Sequence, residues 1–267
     1  MKSMIRLGFF LLFIAVYGTA VAQSSVPVSI RKWQVSDIQR EAMVYVPASA
    51  KSKPSPIIFV FHGHGGNMKS MFQDHQFDKL WPEAIIVVPQ GLKTPGQMVD
   101  RAGKFSGWQQ GPGDMDDRDI RFFDEILQTL RNEYQIDNKR IYATGHSNGG
   151  SFTYLLWAMR GDVFAAMAPS AAVAFRFNDL LKPKPVIPIM GAADPLVKPA
   201  WQQMQINKLL KLDGCNADGQ VYENSATIYS SAKGDPVVIY KHAGGHTYPR
   251  DADAVVIKFF KSMVKRD

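Results

Sequence analysis

Ile141-Tyr142-Ala143-Thr144-Gly145-His146-Ser147-Asn148-Gly149-Gly150 is the stretch whose reading decides the fold. A short apolar run leads into Gly-x-Ser-x-Gly, and a helical run to Arg160 follows it. In that setting the pentapeptide reads as a strand-to-helix turn that presents a serine nucleophile. Gly145 and Gly149 give the chain room to reverse sharply, and the helix that follows aims its first amides at developing negative charge. A glycine-rich structural turn is the plainer reading of a bare pentapeptide; the flanking strand and helix favour catalysis by Ser147.

Working outward, apolar or β-branched runs of strand length recur at Val26 to Ile30, Ala42 to Val46, Ile57 to Phe61, Ala84 to Val88, Val186 to Met190 and Val237 to Tyr240. Ile120, Phe123, Ile126, Leu127, Leu130 and Tyr134 share one helical face, with Asp116, Asp117 and Asp119 at its start, where the helix dipole favours acids. Further helices are expected over Gly149 to Arg160 and Asp251 to Val264. Strands alternating with helices imply an α/β fold, with a mostly parallel central sheet covered on both faces. The first two runs have no helix between them and predict an antiparallel edge hairpin. Lys51 to Pro56 is expected to be a connecting loop.

A serine hydroxyl needs a base, and the base needs an orienting carboxylate. Behind Ser147, Asp194 follows the Val186 to Met190 run, and His246 lies in the glycine-bordered loop Lys241-His242-Ala243-Gly244-Gly245-His246-Thr247-Tyr248-Pro249. His242 competes as base but lies closer to its strand, without flanking glycines. The acids at 116, 117 and 119 compete with Asp194, but they precede Ser147 and suit a helix start. Ser147, Asp194 and His246 are therefore the expected catalytic set.

The strand Ile57 to Phe61 opens into His62-Gly63-His64-Gly65-Gly66. Backbone amides of His64 and Asn148 are the expected oxyanion donors. His62-x-His64 also has the spacing of a metal pair, but that reading needs further ligands at successive strand ends, so neither metal nor cofactor is expected. Trp81, Trp108, Trp201 and Tyr248 are candidates for an aromatic platform, with Trp108 and Tyr248 preferred for substrate binding and Trp81 assigned to packing.

The chain has 267 residues, 46% of them hydrophobic, which suits one domain over 23–267. Before it, Lys2 and Arg6, an apolar run from Leu7 to Val16 and the small-x-small Ala20-Val21-Ala22 read as a secretory signal peptide, residues 1–22, cleaved after Ala22. The run is short for a bilayer span of roughly 20 residues, so no stable membrane anchor is expected. The destination is the periplasm or the outside of the cell. Cys215 is the sole cysteine, so no internal disulfide forms. The formal charge of +7 falls to +5 without Lys2 and Arg6, and the basic residues are scattered, which points away from nucleic acid.

The chain resembles the polyhydroxybutyrate depolymerase-like and feruloyl or acetylxylan esterase-like branch of the α/β-hydrolases. The resemblance rests on Phe61-His62-Gly63-His64-Gly65-Gly66, on Asp116 to Phe122 after a Trp108-bearing loop, and on Gly145 to Gly150. Gly191-Ala192-Ala193-Asp194-Pro195-Leu196-Val197 and Gly244 to Pro249 complete it. It departs from that pattern in having no paired cysteines, in Tyr248 where tryptophan is frequent, and in His64 where cysteine or a small residue is common. The resemblance implies an exported esterase without a cofactor, acting on a small or oligomeric ester such as an acylated polysaccharide or a hydroxyalkanoate oligomer. A serine peptidase or thioesterase, or an inactive binding protein on the same fold, are the alternatives.

Overall fold

The computed structural model describes residues 28–96 and 98–266. The expected signal peptide, and the start of the first expected strand at Val26, lie outside them. The strands are β1 (Ser29–Val35), β2 (Ile38–Tyr45), β3 (Ser55–Phe61), β4 (Ile85–Pro89), β5 (Leu92–Lys93), β6 (Ser106–Gly107), β7 (Ile136–His146), β8 (Ala166–Ser170), β9 (Ile189–Gly191), β10 (Gln220–Glu223), β11 (Ala226–Tyr229) and β12 (Val237–His242). The helices are α1 (Met68–Asp74), α2 (Phe77–Leu80), α3 (Arg118–Glu133), α4 (Asn148–Arg160), α5 (Pro199–Asp213) and α6 (Asp251–Ser262).

Ten strands form one sheet in the order β1-β2-β4-β3-β7-β8-β9-β12-β11-β10, and β5 pairs separately with β6. Strands β4, β3, β7, β8, β9 and β12 run parallel, while β1-β2 at one end and β12-β11-β10 at the other are antiparallel. The β1-β2 hairpin pairs Ser29 with Val44 through Val35 with Ile38. Ser55 and Pro56, expected in a loop, instead open β3, Lys51 closes a 3-10 turn over Ala48–Lys51, and only Ser52 to Pro54 connects.

The two-residue period of the strands distributes their side chains to opposite faces. Ile57, Phe59 and Phe61 of β3, with Ile85 and Val87 of β4, pack under α3, α4 and α5. Ile58, Val60, Ile86 and Val88 pack under α1, α2 and α6. Both faces are thus covered, which is why these strands are apolar throughout rather than alternating.

At the start of α3 the acids do something other than cap it. Met115, Asp116 and Asp117 all have positive φ (51°, 54° and 52°), and Asp117 makes no side-chain cap. Its carboxylate accepts instead from the Gly113 amide (2.8 Å) and from Gln109 Nε2 (2.7 Å). Asp119 is buried and accepts from Arg40 Nη2 at 2.8 Å and from the Gln109 amide at 2.8 Å. The acidic cluster anchors the loop before α3 to β2, where Arg40 originates, because buried charges require partners.

Candidate active site

Ser147 stands between the last residue of β7 and the first of α4, with φ +55° and ψ −116°. That is a strained backbone for a residue with a Cβ, and close packing on both sides holds it there. A Cβ at Gly149 would lie 2.4 Å from the Phe61 carbonyl oxygen, and one at Gly145 would lie 2.5 Å from that of Gly149. The two glycines are set by this approach of β3, β7 and α4. The Ser147 amide donates to Ser170 O on neighbouring β8 (2.9 Å), and Ser147 O takes the Ser151 amide (2.8 Å).

Asp194 lies in the turn after β9, and its buried carboxylate is saturated. Oδ1 accepts from the amides of Leu196 (2.8 Å) and Val197 (3.0 Å), and Oδ2 from Gln202 Nε2 (3.0 Å). The remaining partner is His246 Nδ1, at 2.9 Å. With Nδ1 donating to the carboxylate, Nε2 is left as acceptor, and it stands 2.7 Å from Ser147 Oγ. Three side chains distant in the chain therefore meet in hydrogen-bonded series. His242 does not join them: its Nδ1 accepts the Gly244 amide at 3.2 Å, which helps form the loop that carries His246.

The turn after β3 is held by its side chains. His62 is buried, and burial lowers its pKa to about 4, so it is neutral at working pH. Its Nδ1 donates to Gly63 O (2.8 Å) and Nε2 accepts the Gly91 amide (2.9 Å). His64 Nε2 pairs with Asp100 Oδ2 at 3.1 Å. The metal-pair spacing of His62 and His64 thus serves two separate anchoring contacts. Asn148 is the first residue of α4; its side chain accepts from the Trp108 amide (2.7 Å) and donates to Trp108 O (3.1 Å). His146 packs its ring against His246 with centroids 4.8 Å apart, and burial followed by its histidine neighbour lowers its pKa to about 3. It adds no competing charge beside His246.

Two expected substrate-binding residues point away from the site. The Trp108 side chain is fully buried, stacked on Phe152 at 5.2 Å, and its Nε1 donates to His62 O at 2.8 Å. Tyr248 is buried too, with its ring 4.2 Å from that of His75 and its hydroxyl 3.0 Å from Thr144 Oγ1. Both brace loops around the site. Large amphipathic rings serve that purpose as readily as substrate contact, since a buried indole or phenol needs a polar partner for its one donor.

The open space lies elsewhere. A cavity of about 510 Å³ adjoins Ser147 and His246, bounded on one side by Gly63, His64 and Asn148. Phe175, Trp201, Leu196 and Val197 supply apolar walls, and Arg176 a charged one. Trp201 is thus the member of the four aromatic candidates that faces the site. Gln202 was missed by sequence reasoning. Its signal was a polar residue within the buried stripe Gln202, Gln205, Ile206 and Leu209 of α5, where an amide demands a partner.

Residues 103–178 match the profile of the prolyl oligopeptidase family. A probable feruloyl esterase C of Aspergillus flavus is 27% identical over 221 residues, which cover 78% of this chain and 76% of that protein. A bifunctional acetylxylan esterase/xylanase of Neocallimastix patriciarum is 25% identical over 231 residues, 80% of this chain and 32% of that protein. The solved acetyl xylan esterase from Aspergillus awamori superposes with a TM-score of 0.64 at 12% identity, covering 87% of this chain and 99% of that one. The chain has the α/β-hydrolase fold.

Within an α/β-hydrolase the three converging residues have a defined chain order, nucleophile then acid then histidine, and Ser147, Asp194 and His246 follow it. They occupy the carboxyl ends of β7, β9 and β12, where a parallel sheet of this fold presents its ligands. Among the described residues, no helix is long and apolar enough to cross a membrane, and no three His, Cys, Asp or Glu side chains group as metal ligands.

Proposed function

We propose that this α/β-hydrolase is an exported serine esterase that cleaves carboxylic esters through an acyl-enzyme. The observation that carries the proposal is the 2.7 Å contact of Ser147 Oγ with His246 Nε2, continued by the 2.9 Å contact of His246 Nδ1 with Asp194. Ser147 Oγ attacks the ester carbonyl as its proton passes to His246 Nε2. The tetrahedral oxyanion is received by the amides of His64 and Asn148, one on each side of the nucleophile turn. His246 returns the proton to the departing alcohol, and a water then repeats the sequence on the acyl-enzyme. Asp194 holds the tautomer and stabilises the imidazolium; its other hydrogen bonds keep it fixed while charge develops nearby.

The substrate reading is an ester of a small or oligomeric compound, such as an acylated polysaccharide or a hydroxyalkanoate oligomer. The similarity to feruloyl and acetylxylan esterases and the apolar cavity beside Ser147 support it. Export rests on the leader-like residues 1–22, and the amino terminus of the secreted protein, expected at Gln23, tests it.

Fluorophosphonate labelling with peptide mapping is the direct test of mechanism. Label on Ser147, together with turnover of nitrophenyl esters that falls by at least about a thousandfold in Ser147→Ala, is the expected result. Full activity in that variant overturns the proposal. A parallel panel of feruloyl, acetyl-sugar, hydroxyalkanoate, thioester and peptide substrates separates the esterase from the thioesterase and peptidase readings.

A further inference from the structure

The cavity beside Ser147 is electrostatically one-sided. Arg176 supplies the charged side chain among its described lining residues, the buried His146 there being neutral, and no Asp or Glu is among them. The Arg176 guanidinium is fixed from behind. Asp114 takes Nη1 at 2.5 Å and Nη2 at 3.0 Å, and the guanidinium lies so close over Gly111 that a Cβ there would stand 2.8 Å from Cζ. Asp114 is not a lining residue, so the pair turns its cation toward the cavity and its anion away.

The side chains are 46% and 29% exposed, and an ion pair that wet is weak. It orients the arginine without using it up: a guanidinium has five N–H donors in a planar fork, and a second carboxylate can share them. Phe175, Leu196 and Trp201 are apolar walls of the same cavity, so a substrate seated against them would displace water from beside such a contact.

We propose that Arg176 is a specificity-determining residue that favours ester substrates carrying a free carboxylate. These include half-esters of dicarboxylic acids and hydroxy-acid oligomers that end in an acid. The inference rests on the esterase reading of the same site and narrows its substrate class.

The test compares two carboxylate-bearing esters with neutral nitrophenyl butyrate. Nitrophenyl hemisuccinate carries the charge on the acyl half and 4-acetoxybenzoate on the alcohol half, so the responding substrate shows which half Arg176 meets. For that substrate, Arg176→Gln should lower the kcat/KM ratio to the neutral ester by about tenfold. Asp114→Asn frees the guanidinium and should raise the same ratio. A purely structural ion pair would move both variants in one direction; that result, or ratios that stay within about twofold for both substrates, overturns the proposal.

Calorimetric binding of succinate monoanilide and 4-acetamidobenzoate to Ser147→Ala protein reads the preference without turnover. If the wild-type protein hydrolyses none of the three esters, the esterase reading fails while binding still decides Arg176. Weaker binding after adding Arg176→Gln supports the proposal, and equal binding of both compounds overturns it.

Discussion

The Tyr248 hydroxyl donates to Thr144 Oγ1 across 3.0 Å, and the Thr144 hydroxyl in turn donates to Ala168 O at 2.7 Å. Tyr248 is two residues past His246 and Thr144 three before Ser147, so one hydrogen bond joins the loop that carries His246 to the strand that ends before Ser147. Behind the phenol, His75 pairs with Asp253 Oδ1 at 2.8 Å, tying the assembly to α6.

Tyr248→Phe keeps the ring and removes that bond. Turnover should fall about fivefold with KM little changed, since the loss is alignment of the imidazole and not substrate contact. Thr144→Val should give the same loss, and the double variant no further loss. Steady-state kinetics of the four proteins checks it.

Gln202 holds the face of Asp194 opposite His246. Replacing it with leucine leaves a lone pair of the buried carboxylate without a donor, and kcat should fall about tenfold with KM retained. Gln202→Glu should cost more, because two carboxylates would then share one buried site. Equal kcat in wild type and Gln202→Leu would remove the glutamine from the catalytic support.

At the nucleophile turn, Gly149→Ala forces a methyl against the Phe61 carbonyl oxygen, which belongs to backbone and has nowhere to move. We expect a loss of about 3 kcal/mol of stability, read from the urea midpoint, where most surface substitutions cost a few tenths.

Asp213, far from the site, accepts the Lys184 amide at 3.2 Å and leaves its other oxygen without a partner. Burial raises its pKa to about 8. The folded state thus holds a proton that the unfolded chain releases near pH 4, so stability is greatest below pH 4 on this account and declines up to about pH 8. Lys184, depressed to about 8 by burial, titrates against its unfolded value only above that window. Asp213→Asn should flatten the decline between pH 5 and 8 and gain on the order of 1–3 kcal/mol at pH 8, measured by thermal melts across pH.

Periodicity made the centre of the fold legible. Runs at Ile57 to Phe61 and Ala84 to Val88 are apolar because they are buried on both faces, and the glycine-serine turn declared its own context. β8 escaped notice because Ala166-Met167-Ala168-Pro169-Ser170 has no β-branched residue, and burial alone makes it a strand. In Val186 to Met190 the prolines at 185 and 188 interrupt the ladder, so only Ile189–Gly191 forms β9, while Val186 bridges singly to Met167 and Val237. β10 and β11 are four residues each, too short for a period to show, and β10 is polar at both ends.

At the site, the meeting of Ser147, Asp194 and His246 was legible because each follows the end of a parallel strand. The cavity walls were not. Phe175, Arg176, Leu196 and Trp201 come from loops and a helix start, where no period relates sequence to direction. Trp108 and Tyr248 misled for the same reason: an aromatic in a loop near a site can face either way, and here both donors found partners inside.

The sheet ends differently on its two sides. β10 is four residues long with a register break between Val221 and Glu223, whereas β1 is a regular strand of seven. An added strand needs an unbroken row of amides and carbonyls, so fibrillar self-association of this chain would begin along β1, beside the exposed Lys32, whose repulsion between copies is the guard against it, Arg31 being paired with Glu133.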